Sequence, residues 1–168
     1  MNYKQGEDMV RTEISLFMKN VPGELGKLTT LLGNEHINID ALTIQDASAY
    51  VMALFKARGK SLKRIASAAS YDSMRKDSAE FALIRLLVDD TDKAIDLLSK
   101  KDYIFDIMPV IALPLENRPG EIAKIATKFG EEGININYVY GSVSSPDAKC
   151  LFIFCPEDIE LATKIFIK

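Results

Sequence analysis

The chain has 168 residues, with apolar residues at 48% and charged residues at 27%, the balance of a globular protein with a packed core and not of a disordered, collagen-like or coiled-coil one. Lys and Arg number 21 against 24 Asp and Glu, and the net charge of -3 is too mild to hold nucleic acid or a membrane surface by bulk electrostatics. The opening MNYKQGEDMV carries no apolar leader, and no apolar run approaches the roughly 18 residues of a membrane span, so a cytoplasmic location is expected.

In chain order, Ile14, Leu16 and Met18 alternate as a strand with one buried face. An Asn20-Val21-Pro22-Gly23 turn follows. Leu25, Leu28, Leu31 and Leu32 then have the spacing of an amphipathic helix, with Pro22 suited to its first turn. Gly33 is expected to stop the helix, and the lone His36 to serve as a turn residue that tolerates a left-handed backbone. A second strand is expected over 37–44, a third over Phe81–Val88, a capped helix over 91–101 and a fourth strand over 103–110. That strand runs into the alternating Ile111, Leu113 and Leu115, with breaks expected at Pro109 and Pro114. After Asn117-Arg118-Pro119-Gly120, the residues Ile122, Ile125, Ala126 and Phe129 form another amphipathic helix, stopped by Gly130 and Gly133. Strands over 134–143 and 149–154 and a helix over 157–166 complete the chain.

These elements are two copies of one unit. Residues 20–40 match 117–137 at an offset of 97 without a gap, and 11 of the 21 positions are identical, among them Lys27 with Lys124, Thr30 with Thr127 and Gly33 with Gly130. The first copy reads βαββαβ, which favours a two-layer α+β sandwich of an antiparallel sheet with both helices on one face, the ferredoxin-like arrangement. The second copy ends without its last strand, and the exposed sheet edge calls for cover from the first copy, another chain or the N-terminal segment. The expected domains are 11–108, with a helical insertion at about 47–78, and 109–168.

No residues are arranged for catalysis. Cys150 and Cys155 are five apart in an apolar run, so in a strand they face opposite ways and read as buried reduced thiols. No nucleophile elbow, phosphate loop, zinc motif or His/Cys/carboxylate cluster occurs, so no enzyme activity, metal or cofactor is expected.

The repeated Asn-x-Pro-Gly-Glu-Leu/Ile turn, followed about 15 residues later by an Ile-Asn-Ile strand start, resembles ACT domains, the small-molecule-sensing modules of amino-acid metabolism. The chain resembles stand-alone tandem ACT proteins. The resemblance implies a non-catalytic regulator that binds a free amino acid at ACT-domain interfaces, forms a homodimer and acts on a regulated enzyme. The turn is also a physically reasonable site in its own right. A glycine that follows a strand and opens a helix admits close approach, and the free N–H groups at the helix start favour a carboxylate. These groups belong to Gly23, Glu24 and Leu25 in one copy and to Gly120, Glu121 and Ile122 in the other. Asn20 and Asn117 flank the turns, and Asn38 and Asn135 offer carboxamides at the neighbouring strand starts. In the similar serine-binding domain of bacterial phosphoglycerate dehydrogenases, the positions matching Asn117 and Asn135 contact the effector. The histidine which that family carries two residues before the first Asn is Leu115 or Met18 here, which points to a more apolar ligand.

The insertion carries Lys56, Arg58, Lys60, Lys63, Arg64, Arg75 and Lys76 against Asp72 and Asp77, a local net charge of +5 (seven minus two). The alternative reading is therefore a nucleic-acid-binding regulator using this basic helical segment, although 73–80 leaves too little chain for a recognition helix. A helical hairpin covering a sheet edge or a dimer contact is the preferred reading of the insertion.

Overall fold

A computed structural model describes residues 9–47, 81–141 and 149–167; the expected insertion, apart from Ala47, and residues 142–143 of the expected strand lie outside them. The elements are β1 (Val10–Lys19), α1 (Glu24–Asn34), β2 (Ile39–Asp46), β3 (Phe81–Val88), α2 (Thr91–Lys100), β4 (Phe105–Glu116), α3 (Glu121–Glu131), β5 (Ile136–Gly141), β6 (Lys149–Pro156) and α4 (Ile159–Ile167). The fold is α+β, with two ferredoxin-like units in tandem. Their strands do not form two sheets. They merge into one six-stranded antiparallel sheet of order β2-β3-β1-β4-β6-β5.

The merger runs through β4. Its first half pairs with β1, from Leu16 opposite Phe105 to Val10 opposite Ile111. Its second half pairs with β6, from Ile111 opposite Phe154 to Glu116 opposite Lys149. One strand is thus the last of the first unit and the first of the second, and the breaks expected at Pro109 and Pro114 are absent. Backbone N–H groups alternate sides along a strand. The Ala112 N–H donates to the Met9 carbonyl at 2.8 Å, so even-numbered residues of β4 address β1 and odd-numbered ones address β6. Pro114 lacks a donor on the β1 side beyond the last β1 pairing, and Pro109 lacks one on the β6 side before the first β6 pairing. Each proline stands where no described strand asks for its N–H. The first copy also covers the margin of the second: Met9 is buried in the core of the second unit.

All four described helices lie on one face. The odd-numbered residues of β4 lie on that face, packed beneath helices at Phe105, Ile111, Leu113 and Leu115 and exposed at Ile107 and Pro109. Phe105 joins a cluster of Ile14, Leu16, Leu28, Leu32, Leu86, Ala94 and Leu98 under α1 and α2. Ile111, Leu113 and Leu115 join Ile125, Phe129, Phe154, Ala162 and Phe166 under α3 and α4. The buried members of the first core carry no aromatic ring, Phe105 and Tyr103 being only partly buried against it, whereas the second core centres on Phe129, whose ring lies 5.8 Å from both Phe154 and Phe166. Cys150 and Cys155 form no disulfide and are buried on opposite faces of β6, as their spacing requires.

Three helices end alike. The Ile37 N–H donates to the Leu32 carbonyl and the His36 N–H to that of Gly33, with His36 at φ 55°. Ile134 and Gly133 repeat the pattern after α3, and Tyr103 and Asp102 after α2. These are Schellman caps closed by a left-handed residue. His36 takes the role expected of it. Gly33 and Gly130 lie inside the last helical turns and do not stop the helices. Truncating Phe129, which touches both other rings, is expected to cost about 3–5 kcal/mol in Phe129→Ala, read from the urea midpoint at constant m-value.

Candidate functional site

The two repeated turns are type II β-turns. The Glu24 N–H donates to the Val21 carbonyl and the Glu121 N–H to that of Arg118, both at 3.3 Å. Pro22 and Pro119 take the second position, ahead of the helix and not within its first turn. Gly23 (φ 94°) and Gly120 (φ 89°) take the third, a backbone that a β-carbon disfavours. Neither helix start has a side-chain cap, so the donors that Ser or Asp satisfies elsewhere stay available. Glu24 pairs with Lys27 at 2.5 Å, and Glu121 pairs with Lys124. These preserved pairs cancel the acidic charge that would otherwise repel a carboxylate from the helix start. Val21 and Ile122 are exposed beside the turns and present apolar surface there.

The asparagines are placed less simply. Asn20 follows the end of β1 and Asn38 precedes the start of β2, and these strands run parallel because both are antiparallel to β3. Asn20 and Asn38 therefore lie at opposite ends of the first unit. Asn117 and Asn135 are separated in the same way in the second. Within one unit the structure brings each turn to a helix start but does not bring its two asparagines together. Asn38 also has structural work, since its N–H donates to the Asp89 carboxylate at 2.9 Å, its carbonyl accepts from the Asp89 N–H and its carboxamide donates to Asp40 at 3.1 Å. The Asn135 carbonyl accepts from the Glu157 N–H at 2.9 Å. The exposed Asn20 and the half-buried Asn117 adjoin the turns, whereas Asn135 is exposed at the start of β5.

One polar cluster escaped the sequence reading. On the face opposite the described helices, Glu13 of β1 is 0% exposed, and its carboxylate accepts from the Tyr138 hydroxyl at 2.5 Å and the Tyr140 hydroxyl at 2.7 Å. Ser15 adds a contact at 3.2 Å, and the Arg85 guanidinium stands 3.7 Å away. Arg85 also stacks 4.0 Å above the Tyr138 ring and donates to Gln45 at 2.9 Å. The tyrosines come from β5, three strands from β1 in the sheet order, so the sheet must coil to let them meet Glu13. They pack against Val110, Ala112, Ile153 and Cys155, which none of the described helices covers. Burial, reinforced by Glu13, pushes both phenol pKa values well above the usual tyrosine range, so both remain neutral donors. Among the described residues no His, Cys, Asp and Glu converge as a metal site, and no helix is long and apolar enough to cross a membrane.

A family model of the ACT domain pair matches residues 51–168, and the chain belongs to that family. Among solved structures it is similar to protein BT0572 from Bacteroides thetaiotaomicron, at 24% identity and a TM-score of 0.67, over 94% of this chain and 86% of that one. It is also similar to the ligand-free regulatory subunit of aspartate kinase from Thermus thermophilus, at 13% identity and a TM-score of 0.51, over 94% and 90%. The corresponding Thermus flavus subunit aligns at 14% identity and a TM-score of 0.50, over 95% and 92%. At these identities the likeness is one of fold. No curated protein matches the chain by sequence.

Two outcomes follow from this geometry. The phenols of Tyr138 and Tyr140 have folded pKa values raised above the unfolded value of about 10, so the stability gained by keeping them neutral is complete below about pH 10 and is lost as pH rises through the folded values. Urea midpoints measured up to about pH 11 should therefore fall more steeply for the native chain than for the doubly substituted Tyr138→Phe/Tyr140→Phe chain. At the turns, a β-carbon on Gly120 meets nothing within 4 Å, so the cost of replacement is backbone strain and not a clash. Gly120→Asn should lose less stability than Gly120→Val in thermal unfolding, because asparagine tolerates a positive φ and a β-branched residue does not.

Proposed function

We propose that the protein is a non-catalytic regulator that binds a free amino acid at ACT-domain interfaces, assembles as a homodimer and signals to an enzyme of amino-acid metabolism. The observation that carries this reading is the duplicated turn. Two copies that have diverged elsewhere keep a type II Pro-Gly turn, an uncapped helix start and a Glu/Lys pair that neutralises it. The N–H groups of the turn and first helical residues, Gly23, Glu24 and Leu25 or Gly120, Glu121 and Ile122, would receive the ligand carboxylate. Of these, the Glu24 and Glu121 donors already close their turns through long bonds, which leaves the flanking groups as the stronger donors. A carboxamide oxygen of Asn38 or Asn135 would accept from the ligand ammonium, and Asn20 or Asn117 would flank the bound molecule.

The separation of the two asparagines within each unit supports a second copy as a participant. The outer strands β2 and β5 each begin directly after Asn38 and Asn135 and have an outer margin that no described strand pairs. A neighbouring copy docked there would bring one of these carboxamides to a turn of a different unit, which its own unit does not do. Two of the fold neighbours are regulatory subunits, the kind of role proposed here.

A thermal-shift screen of the twenty amino acids tests the reading. A ligand that binds only the folded chain stabilises it by about 2.7 kcal/mol at a hundredfold excess over Kd, which raises the midpoint of a chain this size by several degrees. At least one amino acid should do so at millimolar concentration. No shift with any of the twenty would remove the proposal.

A further inference from the structure

The buried carboxylate on the face opposite the described helices joins the two halves of the molecule. Glu13 and Arg85 come from β1 and β3 of the first unit, and Tyr138 and Tyr140 come from β5 of the second, 125 and 127 positions further along the chain. A charge with no solvent exposure is costly unless paired and hydrogen-bonded, and here the partners among the described residues beyond Ser15 and Arg85 are supplied by the other unit. The pairing is one-sided. The offset of 97 maps Glu13 onto Val110, Tyr138 onto Ala41 and Tyr140 onto Thr43, none of which can reproduce the contact. In the first unit the outer strand is instead held from within, by Arg11 of β1 bonded to Asp40 of β2 at 2.8 Å. The outer strand of the second unit is thus held by the first unit, and that of the first unit by its own strand β1.

We propose that Glu13, Tyr138 and Tyr140 form an inter-unit latch that fixes β5, and with it Asn135, from strand β1 of the first unit. β5 is a six-residue strand with one paired neighbour among the described strands and a register shift between Ile136 and Tyr138, so that ladder alone holds it weakly. The tyrosine hydroxyls supply the missing constraint, and their rings shield Cys155, opposite Tyr138, and Ile153, opposite Tyr140. β1 leads directly into the turn at Asn20, so the latch connects the strand that starts at one candidate carboxamide to the strand that ends at one candidate turn. This last consequence rests on the amino-acid-binding reading; the latch itself does not.

Hydrogen exchange of the full unliganded chain, with and without Glu13→Gln, tests the latch independently of any ligand. Glutamine keeps the shape but withdraws the charge that strengthens both hydroxyl bonds. The amides of residues 136–141 should exchange at least about tenfold faster, and the Cys155 thiol should react faster with a thiol reagent, while α1 and α2 keep their rates. Tyr140→Phe should reproduce the effect with the ring in place, and should add little in the Glu13→Gln background, because both act on the same bond, one by removing it and one by weakening it. Unchanged rates over 136–141, or the same acceleration in every element, would overturn the latch. If Glu13→Gln does not fold, the same two outcomes are read from Tyr140→Phe. Because no ligand is added, an absence of amino-acid binding leaves this result intact, and a failed latch leaves the sensor reading to its own screen.

Discussion

Strand β4 has to satisfy two neighbours on opposite sides, one along each half, and the rest of the structure depends on how it does so. Ile111 is the point of exchange: it lies opposite Val10 of β1 and opposite Phe154 of β6. Because β4 is unbroken, its odd-numbered face is continuous, so the helices of both units must pack on one side of a single sheet. Because β4 runs antiparallel to β1, the turn that follows each strand falls at an opposite end of the molecule. The proximity of the units thus comes from the sheet and not from their helices, and each unit keeps a separate core beneath its own helix pair.

The same constraint leaves one face without described helices, and the second unit covers part of it with its own side chains. Tyr138 and Tyr140 lie against Val110, Ala112, Ile153 and Cys155, and their hydroxyl ends require a polar partner in a place that excludes water. Glu13 is that partner, and Arg85 offsets its charge from a position over the Tyr138 ring. A buried carboxylate adds little net stability compared with an apolar replacement, but it accepts only correctly placed donors. Its effect here is to specify how far the sheet coils, and so where the outer strand of the second unit stands.

Much of this was legible in the residues. The offset repeat, the Pro-Gly turns, the helix spacing and the left-handed role of His36 are local properties, fixed within a few residues by backbone sterics and period. The continuity of β4 was not, because a proline inside a strand reads as a break unless the pairing on each side is known; Pro109 and Pro114 are tolerated by the offset of two ladders, a property of the tertiary pairing. Glu13 was equally opaque. In Thr12-Glu13-Ile14-Ser15-Leu16 it has the position of a solvent-facing residue on a half-buried strand, and only the coiling of the sheet brings Tyr138 and Tyr140 over it. Of the candidate site, the turns were readable, but the division of each asparagine pair between opposite ends required the strand directions.

The central claim is that the helix starts after the two Pro-Gly turns receive a free amino acid. Its most direct measurement is a titration of the ¹⁵N-labelled chain with the amino acid that stabilises it most, followed by amide chemical shifts. The account predicts saturable shifts that are largest at the amides of Gly23, Glu24 and Leu25, of Gly120, Glu121 and Ile122, or of both sets, with smaller ones at Asn38 or Asn135. Saturable shifts confined to other parts of the chain, with both sets of turn amides unmoved, would contradict it.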